Sequence, residues 1–324
     1  MKKHLFASLT CLLVGALLGS SVAAVAQTPD RVSVAIGQRG LWDTLIVYQG
    51  IEAGIFADEN LDVNMTWTRG GAETLQAVTT RSVDIGIVNG TTGVLGAYKR
   101  GAPVRIVGAQ MTGADDLFWY ARADSGIRNF SDTDGKRVGF SRPGASTHLV
   151  LQALLQDAGV NARIISAGGI ADNRTQVMSG QLDVGWSAPP FNLDLVEDGT
   201  LHIIGKGSDL PTFAEQTVRV NISNTTFLQN RRDVAMRFMR AYMRTVDWMY
   251  ENRDTAIERF AAFNDIELSI AREAADFYPK HTLLSLPVKG MDQTIQDAID
   301  QGALREPLTE DELNELMDFV YDPR

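Results

Sequence analysis

Residues 83–100 read VDIGIV, then NGTT, then GVLGAYKR, and this stretch decides the fold class. The first segment is rich in β-branched residues and short, which is typical of a buried strand. The second offers glycine and small polar residues, which are typical of a tight loop. The third has the apolar spacing of a helix. The stretch therefore predicts a strand that feeds a helix through a short loop, the unit of α/β proteins.

The same unit recurs in two groups along the chain. Short loops between alternating strands and helices predict parallel α/β layering in each group. Besides the strand at 83–88 and the helix at 93–100, the predicted strands are 32–36, 63–67, 104–107, 137–140, 163–166, 184–187, 201–204 and 217–222. The other predicted helices are 44–55, 72–80, 146–158, 172–179 and 232–250.

Two groups of units predict two lobes joined by two crossovers of the chain. We expect the first crossover near Thr112 and the return near Glu215. The predicted division is 1–26 for a signal peptide, 27–112 and 216–324 for the first lobe, and 113–215 for the second lobe. The amphipathic helix at 232–250 is expected to pack on the first lobe, and Thr309 with Glu312 predicts a capping box that opens the last helix.

The N-terminus has the pattern of a secretory signal. Lys2 and Lys3 precede an apolar run at 5–18, and Ala24-Val25-Ala26 predicts cleavage before Gln27. The alternative is an uncleaved anchor, although the run is shorter than a spanning helix needs. The single cysteine, Cys11, lies inside the run and not at its end, so lipidation is not expected. The mature chain then has no cysteine for a disulfide, a thiol nucleophile or a cysteine zinc site.

The charge of the chain limits its partners. The formal charge of -10 becomes -12 when Lys2 and Lys3 are removed, because the first 26 residues contain no acid. Such a field disfavours nucleic acid and anionic membrane surfaces. It does not exclude an anionic ligand, because a binding site depends on local dipoles and side chains.

Candidate ligand contacts lie at the ends of the predicted strands. In open α/β sheets, ligands bind beyond the carboxyl ends of the strands, where loops enter helices. The candidates are Gln38, Trp42, Asp43, Arg69, Gly70, Asn89, Gly90, Thr91, Ser141, Ala145, Ser146, Thr147, Ser187 and Pro189.

The most informative of these loops is SRPGAST at 141–147. Its Pro-Gly turn leads to two hydroxyl residues at a helix start. Ser146 or Thr147 either caps that helix or, with the free amides behind it, holds an oxygen of a carboxylate, sulfonate or phosphate. Both interpretations remain open from the sequence.

Other candidates also have a structural alternative. Trp42 offers a flat apolar face beside polar groups, which suits a small-molecule pocket, but a tryptophan packed under its own helix is the alternative. Arg69 pairs either with an acid on the ligand or with a protein carboxylate. Asn89 is favoured by its position at a strand end. The aromatic residues at 118–120 alternate on an extended segment, and none is assigned to the ligand.

Enzyme motifs are incomplete in this chain. Ser146 sits in a sequence that approaches a nucleophile elbow, but His148 stands where the second glycine belongs. His202 and His281 have no neighbouring metal-ligand pattern. Asp132 and Asp134 lack the later glutamate of a calcium loop, and are expected to form a turn. No catalytic residue, metal site or cofactor is predicted.

At the level of whole segments, the chain resembles the periplasmic binding proteins for nitrate, sulfonate, taurine and thiamine-precursor pyrimidines, the SsuA-like and NMT1-like family. The resemblance covers essentially the whole mature chain. It is carried by the order and spacing of GIEAGIF (50–56), GAETLQA (71–77), VDIGI (83–87), GAPVRIV (101–107), GKRVG (135–139), SRPGASTH (141–148), SGQLDVG (179–185) and SAPP (187–190).

This resemblance implies a bilobal type II periplasmic binding protein fold, with a ligand held between the lobes and a helical C-terminal region on the first lobe. It implies a monomer in the periplasm that delivers its ligand to the membrane permease of an ABC importer, without enzymatic activity and without a cofactor. By position, the family's ligand contacts fall on the strand-end loops named above. Closure would follow from the ligand's preference for the closed form.

Several alternatives stay open. Ser146, Thr147 and Arg69 favour a small organic anion, a sulfonate or a carboxylate, whereas Trp42 would suit a pyrimidine or an aromatic acid. A sensory binding protein that docks on a receptor is the second alternative. An enzyme of the same fold that makes the thiamine pyrimidine is the third, but it is expected to need a cysteine-rich iron site, which the mature chain lacks.

Overall fold

The structure is a computed structural model that describes residues 28–323. The predicted signal peptide and Cys11 lie outside the described residues. Within the described part, no helix combines the length and the apolar composition needed to cross a bilayer.

The first sheet has five strands in the order β2-β1-β3-β10-β4. Strand β1 is parallel to β2 and to β3, as predicted, whereas β10 is antiparallel to both of its neighbours. The antiparallel strand is the one that returns from the second sheet, so its direction is not determined by a strand–helix–strand unit. The bounds are β1 Asp30–Gly37, β2 Leu61–Thr68, β3 Ile85–Gly90, β4 Val104–Thr112 and β10 Thr217–Asn224.

The second sheet also has five strands, in the order β7-β6-β8-β5-β9. Strand β6 is parallel to β7 and β8, and β5 is antiparallel to β8 and β9. The three aromatic residues at 118–120 lie on β5 and are fully buried. The bounds are β5 Phe118–Arg122, β6 Arg137–Phe140, β7 Arg163–Ser166, β8 Val184–Ser187 and β9 Leu201–Lys206.

Helices cover the sheets and make up most of the C-terminal region. The predicted helix at 44–55 is divided, because Gly54 adopts a left-handed conformation with φ of 76°. The bounds are α1 Ile46–Glu52, α2 Ile55–Asp58, α3 Gly71–Thr79, α4 Thr91–Lys99, α5 Ser146–Ala158, α6 Ile170–Met178, α7 Leu193–Glu197, α8 Thr225–Asn230, α9 Arg232–Glu251, α10 Arg253–Asn264, α11 Leu268–Asp276, α12 Met291–Asp300 and α13 Glu310–Leu316.

The C-terminal helices pack on the first sheet's side of the molecule. The long helix α9 buries its apolar face against α1 and α2, with the rings of Phe56 and Phe238 5.2 Å apart. The capping box of α13 is confirmed, since the Glu312 amide donates to the Thr309 hydroxyl at 3.2 Å and the Thr309 amide donates to the Glu312 carboxylate.

The chain passes between the two sheets twice, after Thr112 and before Thr217. The α/β fold with two sheets, two crossovers and a helical C-terminal region is therefore confirmed. We call the first sheet with its helices the first lobe, and the second sheet with its helices the second lobe. The residue at which each lobe begins and ends stays a prediction.

Candidate ligand-binding cleft

A small cavity lies between the lobes, at the carboxyl ends of β1, β2 and β3 on one side and of β6 and β8 on the other. It encloses about 40 Å³, room for roughly three water molecules. We call it the cleft cavity. Its lining residues are Gln38, Leu41, Arg69, Gly70, Gly71, Val88, Gly90, Leu117, Ser141, Ala145, Ser146, Thr147, Trp186 and Arg219.

Three helices begin at this cavity. Residues at the starts of α3 (Gly70, Gly71), α4 (Gly90) and α5 (Ala145, Ser146) line it. The first amides of an α-helix have no acceptor within the helix, and the helix dipole places partial positive charge there. The cleft cavity therefore collects amide donors from both lobes.

Eight of the predicted residues line the cleft cavity, and the two hydroxyl residues of α5 have different roles. Thr147 Oγ1 accepts from the Ser141 amide at 3.1 Å and lies 2.6 Å from the Ser141 hydroxyl, so it shapes the loop. The Ser146 hydroxyl has no hydrogen-bond partner among residues 28–323. The eight are Gln38, Arg69, Gly70, Gly90, Ser141, Ala145, Ser146 and Thr147.

Trp42 and Asp43 are not among the lining residues. Trp42 is fully buried, with its ring edge-on to Phe260 at 5.4 Å, and its indole N–H lies 3.4 Å from the Tyr250 hydroxyl. It is thus part of the first lobe's core, the structural alternative considered above. Asp43 is also fully buried and accepts from Gln110 at 2.8 Å.

Asn89 and Thr91 hold the first sheet together at the crossover strand. The Asn89 amide donates to the carbonyls of Gly86 and Val220, at 2.9 Å and 3.2 Å. The Thr91 hydroxyl donates to the Thr217 carbonyl at 2.7 Å. Both side chains are buried against β10 and not at the cleft cavity.

Ser187 and Pro189 lie in the loop after β8, outside the cavity lining. The Ser187 hydroxyl donates to the Phe191 carbonyl at 2.9 Å, which closes that loop. The Tyr278 hydroxyl approaches the Pro189 carbonyl to 3.4 Å across the lobes. Arg69 lines the cavity, but its side chain is 72% exposed and pairs with Glu73 at 2.8 Å.

Besides Gly71, five lining residues were absent from the predicted contacts. Arg219 carried a usable signal, since a single arginine inside the apolar run of β10 needs a buried partner. The others are apolar side chains from loops and strand ends, and their composition does not distinguish them from core residues. The five are Leu41, Val88, Leu117, Trp186 and Arg219.

Arg219 sits between two buried carboxylates. Its guanidinium donates to Asp43 at 3.2 Å and to Asp116 at 2.5 Å, and all three side chains are almost entirely buried. Asp43 follows β1, Asp116 precedes β5, and Arg219 lies on β10. The ion cluster therefore connects the first sheet to both crossover segments. Burial raises the pKa of Asp43 to about 6, and the Arg219 guanidinium opposes that rise.

The raised pKa of Asp43 predicts a pH dependence of stability. The unfolded carboxyl has a pKa of 3.8, so the folded state holds the proton more tightly between about pH 4 and about pH 6. The free energy of unfolding should therefore fall as the pH rises through this window. Asp43→Asn should lose that contribution, which urea unfolding across the pH series would measure. If the free energy of unfolding depended on pH in the same way in the wild type and in Asp43→Asn, the pH dependence could not be assigned to Asp43.

The backbone at Val88 is strained. This residue lines the cavity with φ of 67°, which a β-branched residue rarely adopts. Its carbonyl lies 2.5 Å from the position that a Cβ on Gly71 would occupy and 3.1 Å from one on Gly37. Strain of this kind collects at binding sites because the surrounding structure must enforce it.

The lobes touch through glycines beside the cleft cavity. The Gly93 amide donates to the Gly144 carbonyl at 3.2 Å. A Cβ on Gly90 would lie 2.2 Å from the same carbonyl. Arg142 and Glu73 add an ion pair between the lobes at 3.0 Å. The structure is therefore a closed arrangement in which only glycine allows this approach.

The described residues contain no nucleophile–base pair at Ser146. Neither Ser146 nor His148 makes a side-chain hydrogen bond there, and the His148 ring instead stacks on Phe140 with centroids 4.5 Å apart. Activation of a serine needs a base within hydrogen-bond reach. Between residues 28 and 323, no group of three or more His, Cys, Asp or Glu residues is arranged to bind a metal ion.

Two lobes with a cavity between them are typical of the periplasmic binding protein fold, and solved structures with that fold superpose on this chain. The alkanesulfonate-binding protein SsuA of Xanthomonas axonopodis pv. citri superposes with a TM-score of 0.73 at 17% identity, covering 87% of this chain and 96% of that one. The nitrate-binding protein NrtA of Synechocystis PCC 6803 gives 0.71 at 14% identity, covering 89% and 85%.

The chain belongs to the NMT1/THI5-like family, whose family model matches residues 43–256, more than half of the sequence. YtlA, a candidate binding protein of Bacillus subtilis (strain 168), is 22% identical over 245 residues, 72% of this chain and 71% of that protein. The desulfurization enzyme DSZB also shares the fold, with a TM-score of 0.63 at 14% identity, covering 90% of this chain and 97% of that one.

Proposed function

We propose that this protein is the exported solute-binding component of an ABC-type importer, and that it closes on a small organic anion, a sulfonate or a carboxylate. The observation that carries the proposal is the convergence of three helix N-termini from two lobes on one cavity that contains the free Ser146 hydroxyl. Amides at helix N-termini favour anions. The named ligands of two structural neighbours, alkanesulfonate and nitrate, are also anions.

An aromatic ligand, such as a pyrimidine or an aromatic acid, is supported less well than a small anion. Trp42, the side chain that suggested a pyrimidine or an aromatic acid, is packed in the core. The cleft cavity encloses about 40 Å³, which suits a charged head group rather than an aromatic ring. Trp186, Leu117 and Leu41 supply apolar lining, so a short hydrocarbon portion beside the head group is compatible with the site.

The amides, and not Arg219, are expected to carry the negative charge of the ligand. Arg219 is shared by Asp43 and Asp116, and the three groups together have a net charge of -1 when both carboxyls are ionised. A guanidinium with two carboxylate partners attracts a further anion weakly. The first backbone amides of α3, α4 and α5 have no such competition, except the Gly93 amide, which donates to the Gly144 carbonyl.

Transport requires a difference between open and closed forms. A ligand that contacts both lobes binds the closed form more tightly, and only that difference in affinity shifts the population. The closed form would present the surfaces of both lobes to the permease in one fixed relative orientation. Export to the periplasm is supported by the N-terminal sequence, and delivery to a permease distinguishes this role from a sensory one.

Ser146→Ala tests the ligand contact. We expect ethanesulfonate, or the carboxylate identified by screening, to bind about tenfold to hundredfold more weakly, because a hydrogen bond to a charged group is removed. Isothermal titration calorimetry on protein stripped by unfolding and refolding would measure the affinity. Ser125→Ala is the control, since Ser125 is a turn hydroxyl of the second lobe that donates to the Arg122 carbonyl and accepts from the Ile127 amide. Equal affinity in wild type and Ser146→Ala would contradict the contact.

A thermal-shift screen separates the function classes. A ligand that binds only the native state raises the melting temperature, and the stabilisation grows with the logarithm of its concentration over the dissociation constant. Sulfonates and carboxylates are expected to raise it without product formation. Turnover of a sulfonate would instead support an enzyme. Stabilisation by pyrimidines alone would show that the ligand is a pyrimidine and not an anion.

A further inference from the structure

A second and larger cavity lies between the lobes, outside the cleft cavity. It encloses about 290 Å³, and it shares only Gly71 and Gly90 with the cleft cavity. We call it the outer cavity. The first lobe contributes the start of α3, the end of α4 and the segment after α12, and the second lobe contributes the Pro143-Gly144 turn and His148. Its walls are therefore complete only when the lobes are closed.

Hydrogen-bond donors without acceptors collect in the outer cavity. Arg100 is exposed and lines this cavity with no carboxylate partner among residues 28–323, and its guanidinium donates one hydrogen bond, to the Ala303 carbonyl at 3.3 Å. Gln301 also lines the cavity, but its Oε1 accepts from Thr92 and its unpaired Nε2 has almost no accessible surface, so Gln301 offers the cavity no donor in this arrangement. The residues Gly71 and Ala72 add amides at the start of α3.

His148 supplies an independent indication of a ligand. Its side chain is 8% exposed, lines the outer cavity and makes no hydrogen bond to any described residue. Its Nδ1 is buried without a partner. Nδ1 has almost no accessible surface, so the ring nitrogen that a ligand can reach is Nε2, which also has no partner among the described residues. Stacking on Phe140 explains the position of the ring but leaves its nitrogens unpaired.

The chemistry of the missing partner follows from the lining. No aspartate or glutamate lines the outer cavity, although the whole chain is acidic. A guanidinium and helix-start amides are donors that proteins use for oxyanions. We propose that the outer cavity is a second binding site, and that it takes an oxyanion group such as a phosphate, sulfonate or carboxylate at Arg100, His148 and the first amides of α3.

Two sources could supply this group. It is either a free oxyanion that stabilises the closed form on its own, or the far end of a longer dianion whose other end occupies the cleft cavity. The second source rests on the proposed function, whereas the site itself does not. The shared glycines Gly71 and Gly90 are the only lining residues through which such a ligand would have to pass.

Calorimetric titration with inorganic phosphate tests the site in the mature, ligand-stripped protein. We expect saturable binding of one phosphate, about tenfold weaker in Arg100→Gln because a charge-assisted contact is lost. His148→Phe keeps the stacked ring and should also weaken binding. Arg81→Gln is the charge-matched control, since Arg81 is exposed and lines neither cavity. Ser146→Ala distinguishes the two cavities, because phosphate held in the cleft cavity would be weakened by that change and not by Arg100→Gln.

The variants also separate this inference from the proposed function. Ethanesulfonate should show a binding event that Ser146→Ala weakens and Arg100→Gln leaves intact, and the absence of that event affects only the proposed function. Butane-1,4-disulfonate that depends on both residues would identify the longer ligand, and independent binding of phosphate and ethanesulfonate would identify the free oxyanion. Phosphate binding that is lost in Ser146→Ala but kept in Arg100→Gln overturns the outer site. So does the absence of saturable binding by phosphate, sulfate and the disulfonate.

Discussion

Arg219→Met is expected to lower the free energy of unfolding by about 3–5 kcal/mol, the effect of removing one partner from a buried ion pair. Methionine preserves much of the side-chain volume, so the loss comes from charge. Asp43 and Asp116 would remain buried next to each other without the guanidinium that now bonds to both. One or both would have to take up a proton or draw in water. Urea unfolding at pH 7 would measure the change.

Two further variants show whether charge is the cause. The triple change Asp43→Asn, Asp116→Asn and Arg219→Met removes all three charges and should recover much of the lost stability. Arg122→Met breaks an exposed pair with Asp124, whose N–O distance is 2.6 Å, and should have little effect because solvent screens such pairs. A small effect of Arg219→Met, equal to that of Arg122→Met, would contradict the role of the buried cluster.

Gly90→Ala is expected to weaken ligand binding by about tenfold to hundredfold. The backbone at Gly90 has φ of -60°, so alanine introduces no backbone strain. All three heavy atoms nearest to the new Cβ belong to Gly144 and Ala145 of the second lobe, at 2.2 Å, 2.9 Å and 3.1 Å. Overpacking costs about 1–3 kcal/mol, and here it would act on the closed form alone. Titration of the stripped protein with ethanesulfonate would measure the loss.

Gly86→Ala provides the matched control. Its Cβ would meet Val78, Thr74 and Ile222, all in the first lobe. We expect it to lower the melting temperature without a selective loss of affinity, whereas Gly90→Ala should leave the melting temperature of the ligand-free protein nearly unchanged. Wild-type affinity in Gly90→Ala would show that the lobes bind ligand without this close approach.

The local elements of the fold could be predicted because short-range physics determines them. Strands β6, β7 and β8 and helix α5 have the predicted bounds, since β-branched runs and helical spacing are properties of adjacent residues. The antiparallel direction of β10 could not be predicted in this way. It depends on where the returning chain enters the sheet, which no local pattern encodes.

The candidate site could likewise be predicted only in part. The loops at 37–43, 69–71 and 141–147 were predicted from strand ends, and residues of each line the cleft cavity. Within a loop, however, the direction of each side chain depends on packing: Trp42 turns into the core beside Phe260, although its neighbour Leu41 lines the cavity. The sequence allowed both interpretations because a tryptophan suits a core and a pocket equally.

The sequence by itself determined the alternation of strands and helices, the family and the loops where a ligand is sought, because these follow from periodicity and from the order of segments. Only the tertiary structure decided which side chains meet. Arg219 reaches Asp43 and Asp116 from positions distant in the chain, and the outer cavity joins Arg100, His148 and Gln301. The Arg219 cluster forms when β1, β10 and a crossover segment pack together, and the outer cavity forms only when the two lobes are closed, so neither can be read from adjacent residues.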